Sequence, residues 1–427
     1  MPKIPFSVLN HKSGRLVVIA PHPDDEVLGA GGLMSQYVER GAAVDVILVT
    51  NGDGFVQDAE RYYLALEVSS AEYINLGYRR MREAVDALAI LGVGAEHVHF
   101  LGFPDGGLER LLMDYWDHQP LQSTTSGATR SPYIGTAGYN RPYLGRELLS
   151  LIQELLVTLR PETIVSPHAY DEHPDHWATG AFARLAGASL GFNVRHLSYL
   201  VHWPAWPFPL AFRPRQRQKA PESLVRLHPH RWQELRMEPD TVMRKKRALL
   251  TYQSQVELIK PFMLAFARGS EVLFEESVED MAKDLEQIGE PPTSVTNPTR
   301  NILAQWLKKD TPIRQVGWAI LGHRQTVDIT LAQPIKSDEI FHITIHMAMT
   351  GSMRHWQIDR DGIVRGDGSE KIGVQFEKQS LRVSWPLSEY QADRVVLLGI
   401  QISANGGFKG RTPLQLYRLP ESLGFDE

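Results

Sequence analysis

An apolar run that stops abruptly on charged residues constrains this chain more than any other feature. Leu16 to Ala20 reads as a short buried strand, and it ends in Pro21-His22-Pro23-Asp24-Asp25-Glu26. Gly29, Ala30, Gly31 and Gly32 follow, and a helix is predicted from about Gly31 to Arg40, stopped by Gly41. A second stretch repeats the pattern: Thr163-Ile-Val-Ser-Pro167 reads as a strand, His173-Pro-Asp-His176 follows, and a helix is predicted over Trp177–Leu190. In open α/β sheets, ligands bind in the crevice outside the carboxyl ends of the strands. Both His-Pro-Asp stretches are expected there.

The residue types suit a metal-assisted hydrolysis. His22 and His176 supply imidazole nitrogens and Asp25 a hard carboxylate oxygen, a three-ligand set with an open position for water. Zn2+ is the expected metal; Fe2+ or another divalent ion also suits two His and one carboxylate. Pro23 stiffens the turn, so Asp24 can stand beside the metal rather than on it and act as general base. His173 is left to act as an acid or electrophile, with Asp175 as a partner that orients a ligand. The plainer alternative is a pair of polar loops whose Asp residues cap helices and whose histidines are incidental. The chain has no Cys, which excludes disulfides and thiol catalysis. Gly29-x-Gly31 follows four charged or metal-binding groups and is not a dinucleotide fingerprint.

Pro-His-Pro-Asp-Asp-Glu at 21–26 together with His-Pro-Asp-His at 173–176 resembles the PIG-L/LmbE family of zinc-dependent de-N-acetylases. Leu101-Gly-Phe-Pro-Asp-Gly-Gly-Leu108, Arg80-x-x-Glu83 and the Lys245–Gln255 segment are also similar to stretches of that family, and the resemblance spans roughly residues 14–260. It implies a Rossmann-like α/β domain that removes acetyl groups from N-acetylglucosamine-type sugars. It implies zinc on His22, Asp25 and His176, with Asp24 as base and His173 facing the transition state. Arg80 and Asp105 match positions that touch the sugar in relatives. Where some members carry a Tyr two residues before the first His of the second motif, this chain has Asp171; Tyr170, one residue earlier, is with Arg80 and Asp105 a candidate substrate contact.

The intervening chain supports a βαβ reading. Val44–Thr50 and Val98–Leu101 read as further strands, and Asp105 falls just past the second of them. Residues 115–143 lack periodicity; Tyr133, Tyr139 and Tyr143 with Arg130 and Arg141 could form a lid or the wall of a sugar cleft, or a plain surface insertion. Trp203-Pro-Ala-Trp-Pro-Phe-Pro209 cannot be helix or inner strand, and Arg213–Lys219 is a short basic run. Glu275–Gln287 has a helical pattern. Beyond about residue 310 the period turns to two, as in a smaller all-β, β-sandwich-like module. There His342, Thr344 and His346 share a face that could hold a second metal, and Trp356 and Trp385 suit a buried core better than a carbohydrate platform. The expected domains are a hydrolase domain over 1–290, a linker over 291–310 and a β-rich domain over 311–427.

The predicted enzyme is a metal-dependent N-deacetylase, an amidohydrolase acting on linear C–N amide bonds. Its substrate is a small molecule or oligosaccharide bearing an N-acetyl group. The alternatives are a non-catalytic carbohydrate-binding or assembly protein and a hydrolase of a non-sugar amide. A formal net charge of -5 argues against nucleic acid as partner, and no stretch approaches the roughly 18 apolar residues of a membrane span. The N-terminus lacks the apolar core of a secretory signal, so a cytoplasmic protein is expected, with a homo-oligomer possible.

Overall fold

The computed structural model describes residues 14–54, 68–280, 295–296, 313–321, 323–366, 368–386, 395–405 and 407–419. The chain divides into two compact units, Met1–Glu276 and Ser277–Glu427. Apart from Val295 and Thr296, the linker expected over 291–310 lies outside the described residues, as do residues 281–287 of the helix expected over 275–287. The rest of that helix is not formed. Glu275 ends a strand and Glu279–Asp280 is another.

In the first unit, β1 (Leu16–Ala20), β2 (Val44–Thr50), β3 (Val98–Phe103), β4 (Thr163–Pro167) and β5 (Arg195–Tyr199) are parallel neighbours. β6 (Trp232–Arg236) and β7 (Ser270–Glu275) add an antiparallel edge, giving the order β3-β2-β1-β4-β5-β7-β6. Helices α1 (Asp25–Glu39), α2 (Ser70–Leu91), α3 (Leu108–Met113), α4 (Gly145–Leu159), α5 (Pro174–Ala188), α6 (Glu222–Leu227), α7 (Pro239–Leu249) and α8 (Gln253–Leu264) connect them. Every residue of β1, β2 and β4 is buried, as expected for strands covered on both faces. The chain leaves β1 toward β2 and β3 on one side, then crosses to β4 and β5 on the other. The switch point therefore lies between β1 and β4, the two strands that precede the His-Pro-Asp stretches.

α1 starts six positions earlier than its expected start near Gly31, so Asp25 and Glu26 form its first turn. The small residues of α1 allow close approach. A Cβ on Gly29 would lie 2.2 Å from the Tyr199 ring. Farther along α1, Glu271 accepts from the backbone of Gly32 (2.6 Å) and Leu33 (2.9 Å). Lys245, fully buried on α7, donates to Glu271 (2.6 Å) and to the Leu28 carbonyl (2.8 Å). A buried ion pair thus fastens the helix that carries the first motif. The Lys245–Gln255 segment, similar to a stretch of the family, spans two helices, α7 and α8, divided around Leu250–Tyr252.

The second unit is built of antiparallel sheets, apart from a short parallel pairing of β8 (Glu279–Asp280) on β19 (Gln415–Arg418). One sheet holds β9 (Val295–Thr296), β10 (Ile313–Leu321), β11 (Arg324–Leu331), β15 (Gly373–Phe376) and β16 (Ser380–Pro386). The other holds β12 (Glu339–Met347), β13 (Met353–Ile358), β14 (Val364–Arg365), β17 (Val395–Ala404) and β19, with β18 (Gly407–Arg411) on β17. Alternate residues of both sheets share one core. Val327 and Ile329 come from one; Phe341, Ile343 and Ile345 come from the other. Trp356 and Trp385 are buried in it with ring centroids 5.0 Å apart, so they are core and not a carbohydrate platform.

Candidate active site

Four loops at the carboxyl edge of the parallel sheet bring the charged residues together. The β1–α1 turn carries His22, Asp24 and Asp25; the loop after β3 carries Asp105; the loop after β4 carries Asp171 and His173; α5 carries Asp175 and His176 in its first turn. His202 follows β5.

Asp25 is the hub. Its Oδ2 lies 3.0 Å from His22 Nδ1 and 3.0 Å from His176 Nε2, and all three side chains are almost wholly buried. Burial alone would raise the Asp25 pKa, but His176 and His22 hold it well below the usual carboxylate range. The other ring nitrogen of His176 lies 3.3 Å from Asp171 Oδ2. Burial works against charge on this imidazole, yet the Asp171 and Asp25 carboxylates push its pKa up to about 10. Neither of its two contacts has the alignment of a hydrogen bond, although the ring is fully buried. A cationic centre is favoured between these groups, and a divalent metal meets that demand while satisfying the ring nitrogen. The donor set of two imidazoles and a carboxylate fits zinc or a similar ion. Three-residue groups whose ligand atoms lie within 4.8 Å of one another are His22 with His173 and His176, Asp25 with His176 and His202, and His22 with Asp105 and Asp175. The expected set of His22, Asp25 and His176 is none of these as it stands, and its two histidines meet through Asp25 Oδ2.

Asp24 sits at the helix N-cap position with φ 122° and ψ -33°, a strained backbone for a residue with a Cβ. Its side chain does not cap the helix. The strain is supported locally: the Asp24 N–H donates to Glu26 Oε2 (3.0 Å), and the Tyr252 hydroxyl donates to the other Glu26 oxygen. Burial, with Asp25 next, raises the Asp24 pKa, and Arg80 opposes the rise from 3.6 Å away. Arg80 is itself buried and donates to the carbonyls of Gly52 (2.9 Å) and Pro23 (2.7 Å). Gly52 has φ 72°, and a Cβ there would fall 2.4 Å from the guanidinium, so this turn requires glycine.

His173 Nδ1 accepts from the Asp175 backbone N–H (3.2 Å), which leaves the proton of the neutral ring on Nε2. Burial, then the nearby His22, His176 and His202, lower its pKa to about 2, so the neutral form prevails. Its ring stands 5.0 Å from His22 and 5.1 Å from His176. Asp175 accepts from Gly106 (2.7 Å) and Leu108 (3.0 Å) and lies 3.2 Å from His22 Nε2, so it braces the first motif rather than its neighbour His176. Asp105 Oδ1 is 3.2 Å from the same His22 nitrogen, and its Oδ2 accepts from Gly54 (2.8 Å). Tyr170 stacks on His168 (5.6 Å) and packs beside Leu200, Leu224 and Trp232.

Two residues of the site escaped sequence reasoning. Asp171 accepts from His173 (3.1 Å), Val201 (2.9 Å) and His202 (3.0 Å) and faces His176, so it ties three segments together. His202 lies 4.6 Å from the His176 ring and 5.1 Å from that of His173. It follows β5 at the same carboxyl edge of the sheet as Asp105. Within 115–143, Tyr133 is buried and donates to Asp53 (2.7 Å), Tyr143 is buried and donates to the Gly102 carbonyl (3.1 Å), and Tyr139 is exposed.

Comparison with known proteins bears on this geometry. Residues 17–186 match the family described as PIG-L, GlcNAc-PI de-N-acetylase. They form a PIG-L domain. The matched range contains both His-Pro-Asp stretches and ends within α5. The 1D-myo-inositol 2-acetamido-2-deoxy-alpha-D-glucopyranoside deacetylase of Mycobacterium sp. (strain KMS) is 34% identical over 167 residues, 39% of this chain and 47% of that protein. The protein of the same name from Kribbella flavida is 30% identical over 207 residues, 46% of this chain and 59% of that protein. The chain thus spans about half the length of the curated relatives it matches. Among solved structures, N,N'-diacetylchitobiose deacetylase from Pyrococcus horikoshii superposes with a TM-score of 0.37 at 19% identity, over 58% of this chain and 75% of that one. Among the described residues, no helix is long and apolar enough to cross a membrane.

Proposed function

We propose that the PIG-L domain hydrolyses an N-acyl amide, most simply the N-acetyl group of an amino sugar or glycoconjugate. The observation that carries this reading is the convergence of His22 and His176 on Asp25, with a buried Asp24 next to it. The GlcNAc-linked substrates in the relatives' names support the sugar.

His22, Asp25 and His176 would hold a divalent metal, zinc first among them, which when bound polarises a carbonyl and lowers the pKa of water to about 7. Asp24 takes the proton of the attacking water. The raised pKa of Asp24 suits a base that must later release that proton to the leaving amine. His173 presents its Nε2–H to the developing oxyanion, a role for a neutral donor. Asp171 and Asp175 orient the two histidines. Arg80 holds the Pro23 and Gly52 carbonyls and stands beside Asp24, so its role is to shape the turn as much as to touch sugar. Asp105, at the rim beside Gly54, is the better placed for a sugar hydroxyl.

The direct test is release of acetate and free amine from a panel of N-acetylated sugars by zinc-loaded protein. Turnover of at least one sugar is expected. Zinc-bound protein that releases nothing from sugars but cleaves another acyl amide would move the reading to a non-sugar substrate.

A further inference from the structure

One residue beyond His202 the chain enters a loop rich in aromatic, proline and basic residues. Residues 203–219 carry Trp203, Trp206, Phe208, Leu210 and Phe212, then Arg213, Arg215, Arg217 and Lys219, and no acidic residue. The whole chain has a net charge of -5, so this stretch opposes the overall field.

The base of the loop is firmly held. Trp206 Nε1 donates to the Lys219 carbonyl (2.8 Å), its ring meets Phe266 (5.5 Å), and Arg268 donates to the Pro209 carbonyl (2.9 Å). The tip nevertheless points apolar side chains at water: Phe208 is 75% exposed and Leu210 51%. What sets these two apart is that they stand two residues apart on one anchored tip and are followed by a run of exposed cations. Arg213, Arg215 and Lys219 are exposed and make no ion pair among the described residues, whereas Arg217 is tied to Glu234. Lys246 adds a further cation, 4.3 Å above the Phe212 ring. Pro204, Pro207, Pro209 and Pro214 lack backbone N–H groups, so fewer donors lose water when the tip enters a less polar medium.

We propose that residues 203–219 dock this protein on the surface of an anionic lipid bilayer. Phe208 and Leu210 enter the interfacial region and the free cations meet lipid phosphates, while Trp206 holds the base of the loop. A soluble polyanion would satisfy the cations but gain nothing from Phe208 and Leu210. The proposal stands apart from the reaction assigned above, since it concerns binding alone. Joined to that reading, it sets the mouth of the site beside the membrane, because His202 is both a site residue and the foot of the loop.

The test is sedimentation of the full chain with large unilamellar vesicles of phosphatidylcholine, with and without phosphatidylglycerol. Binding is expected only with phosphatidylglycerol and is weakened by salt. Replacing Arg213, Arg215 and Lys219 together by Gln should cost about fivefold per cation, on the order of 100-fold in all. Phe208→Ser with Leu210→Ser should lose at least about tenfold. All five side chains are exposed, so unchanged circular dichroism is expected. The chain has no Cys, so Phe208→Cys accepts a single environment-sensitive dye, whose emission should shift to the blue on the anionic vesicles. Equal binding to both vesicle types, or full binding by the double Ser variant, overturns the proposal. So does heparin binding that falls in the Gln variant while vesicle binding is absent, and so does a dimer that the double Ser variant converts to monomer without any vesicle binding.

Discussion

His22 faces Asp25, Asp105 and Asp175, and His176 faces Asp25 and Asp171. In the second unit His342 instead faces His355, with ring nitrogens 3.3 Å apart, and Ser403 at 2.8 Å. Among the described residues, the groups able to hold a metal all lie in the first unit, and the face of His342, Thr344 and His346, which could have held a second metal, carries none of them. Burial lowers the pKa of His346 to about 3 and of His355 to about 4, against about 10 for His176. The difference is one of architecture. Loops leaving neighbouring parallel strands can converge on a point and bring carboxylates with them. A sheet face holds its side chains at the fixed spacing of the strands, and no Asp or Glu shares this stretch of it.

The comparison predicts effects of decreasing size. Asp24→Asn should leave metal bound and lower kcat on the order of 10³-fold, measured by amine release, because it removes the base alone. Wild-type turnover by this variant would place the base elsewhere. Asp171→Asn should weaken metal affinity by about 10–100-fold in a chelator competition, through loss of the carboxylate that orients His176. His342→Ala and His355→Gln should leave metal content unchanged; a fall in either would join the second unit to the metal centre. His355→Gln should show its effect in pH dependence instead. The folded-state pKa of His355 is depressed to about 4, so between roughly pH 6.5 and 4 the unfolded chain binds a proton that the folded one does not. Stability contributed by the neutral ring is therefore present above pH 6.5 and is lost as pH falls. Chemical denaturation at pH 6.5 and pH 5 should show the variant sparing about 2 kcal/mol of that loss.

The first-unit sheet was legible because β1, β2 and β4 are continuous apolar runs and each charged loop begins where such a run stops. The chemistry at 22–26 and 173–176 could be read from residue type alone. Partnership was harder to read. Asp175 was expected to orient a ligand without its sequence position saying which; at the first turn of α5 it points to the β3–α3 loop and His22, and Asp171 from the preceding loop reaches His176. The early start of α1 was hidden because Asp24 adopts a positive φ that its residue type disfavours, with Glu26 and the distant Tyr252 supporting it. Local propensity cannot show a contact of 226 residues' separation. The alternating runs after residue 310 announced β-structure, but not which strands would share a sheet.

The central claim is that two distant His-Pro-Asp stretches make one metal centre, and calorimetric titration of metal-stripped protein with zinc tests it most directly. One tight site per chain is predicted for the wild type, absent from His176→Ala with the fold intact. No tight site in the wild type, or an undiminished site in His176→Ala, would contradict it.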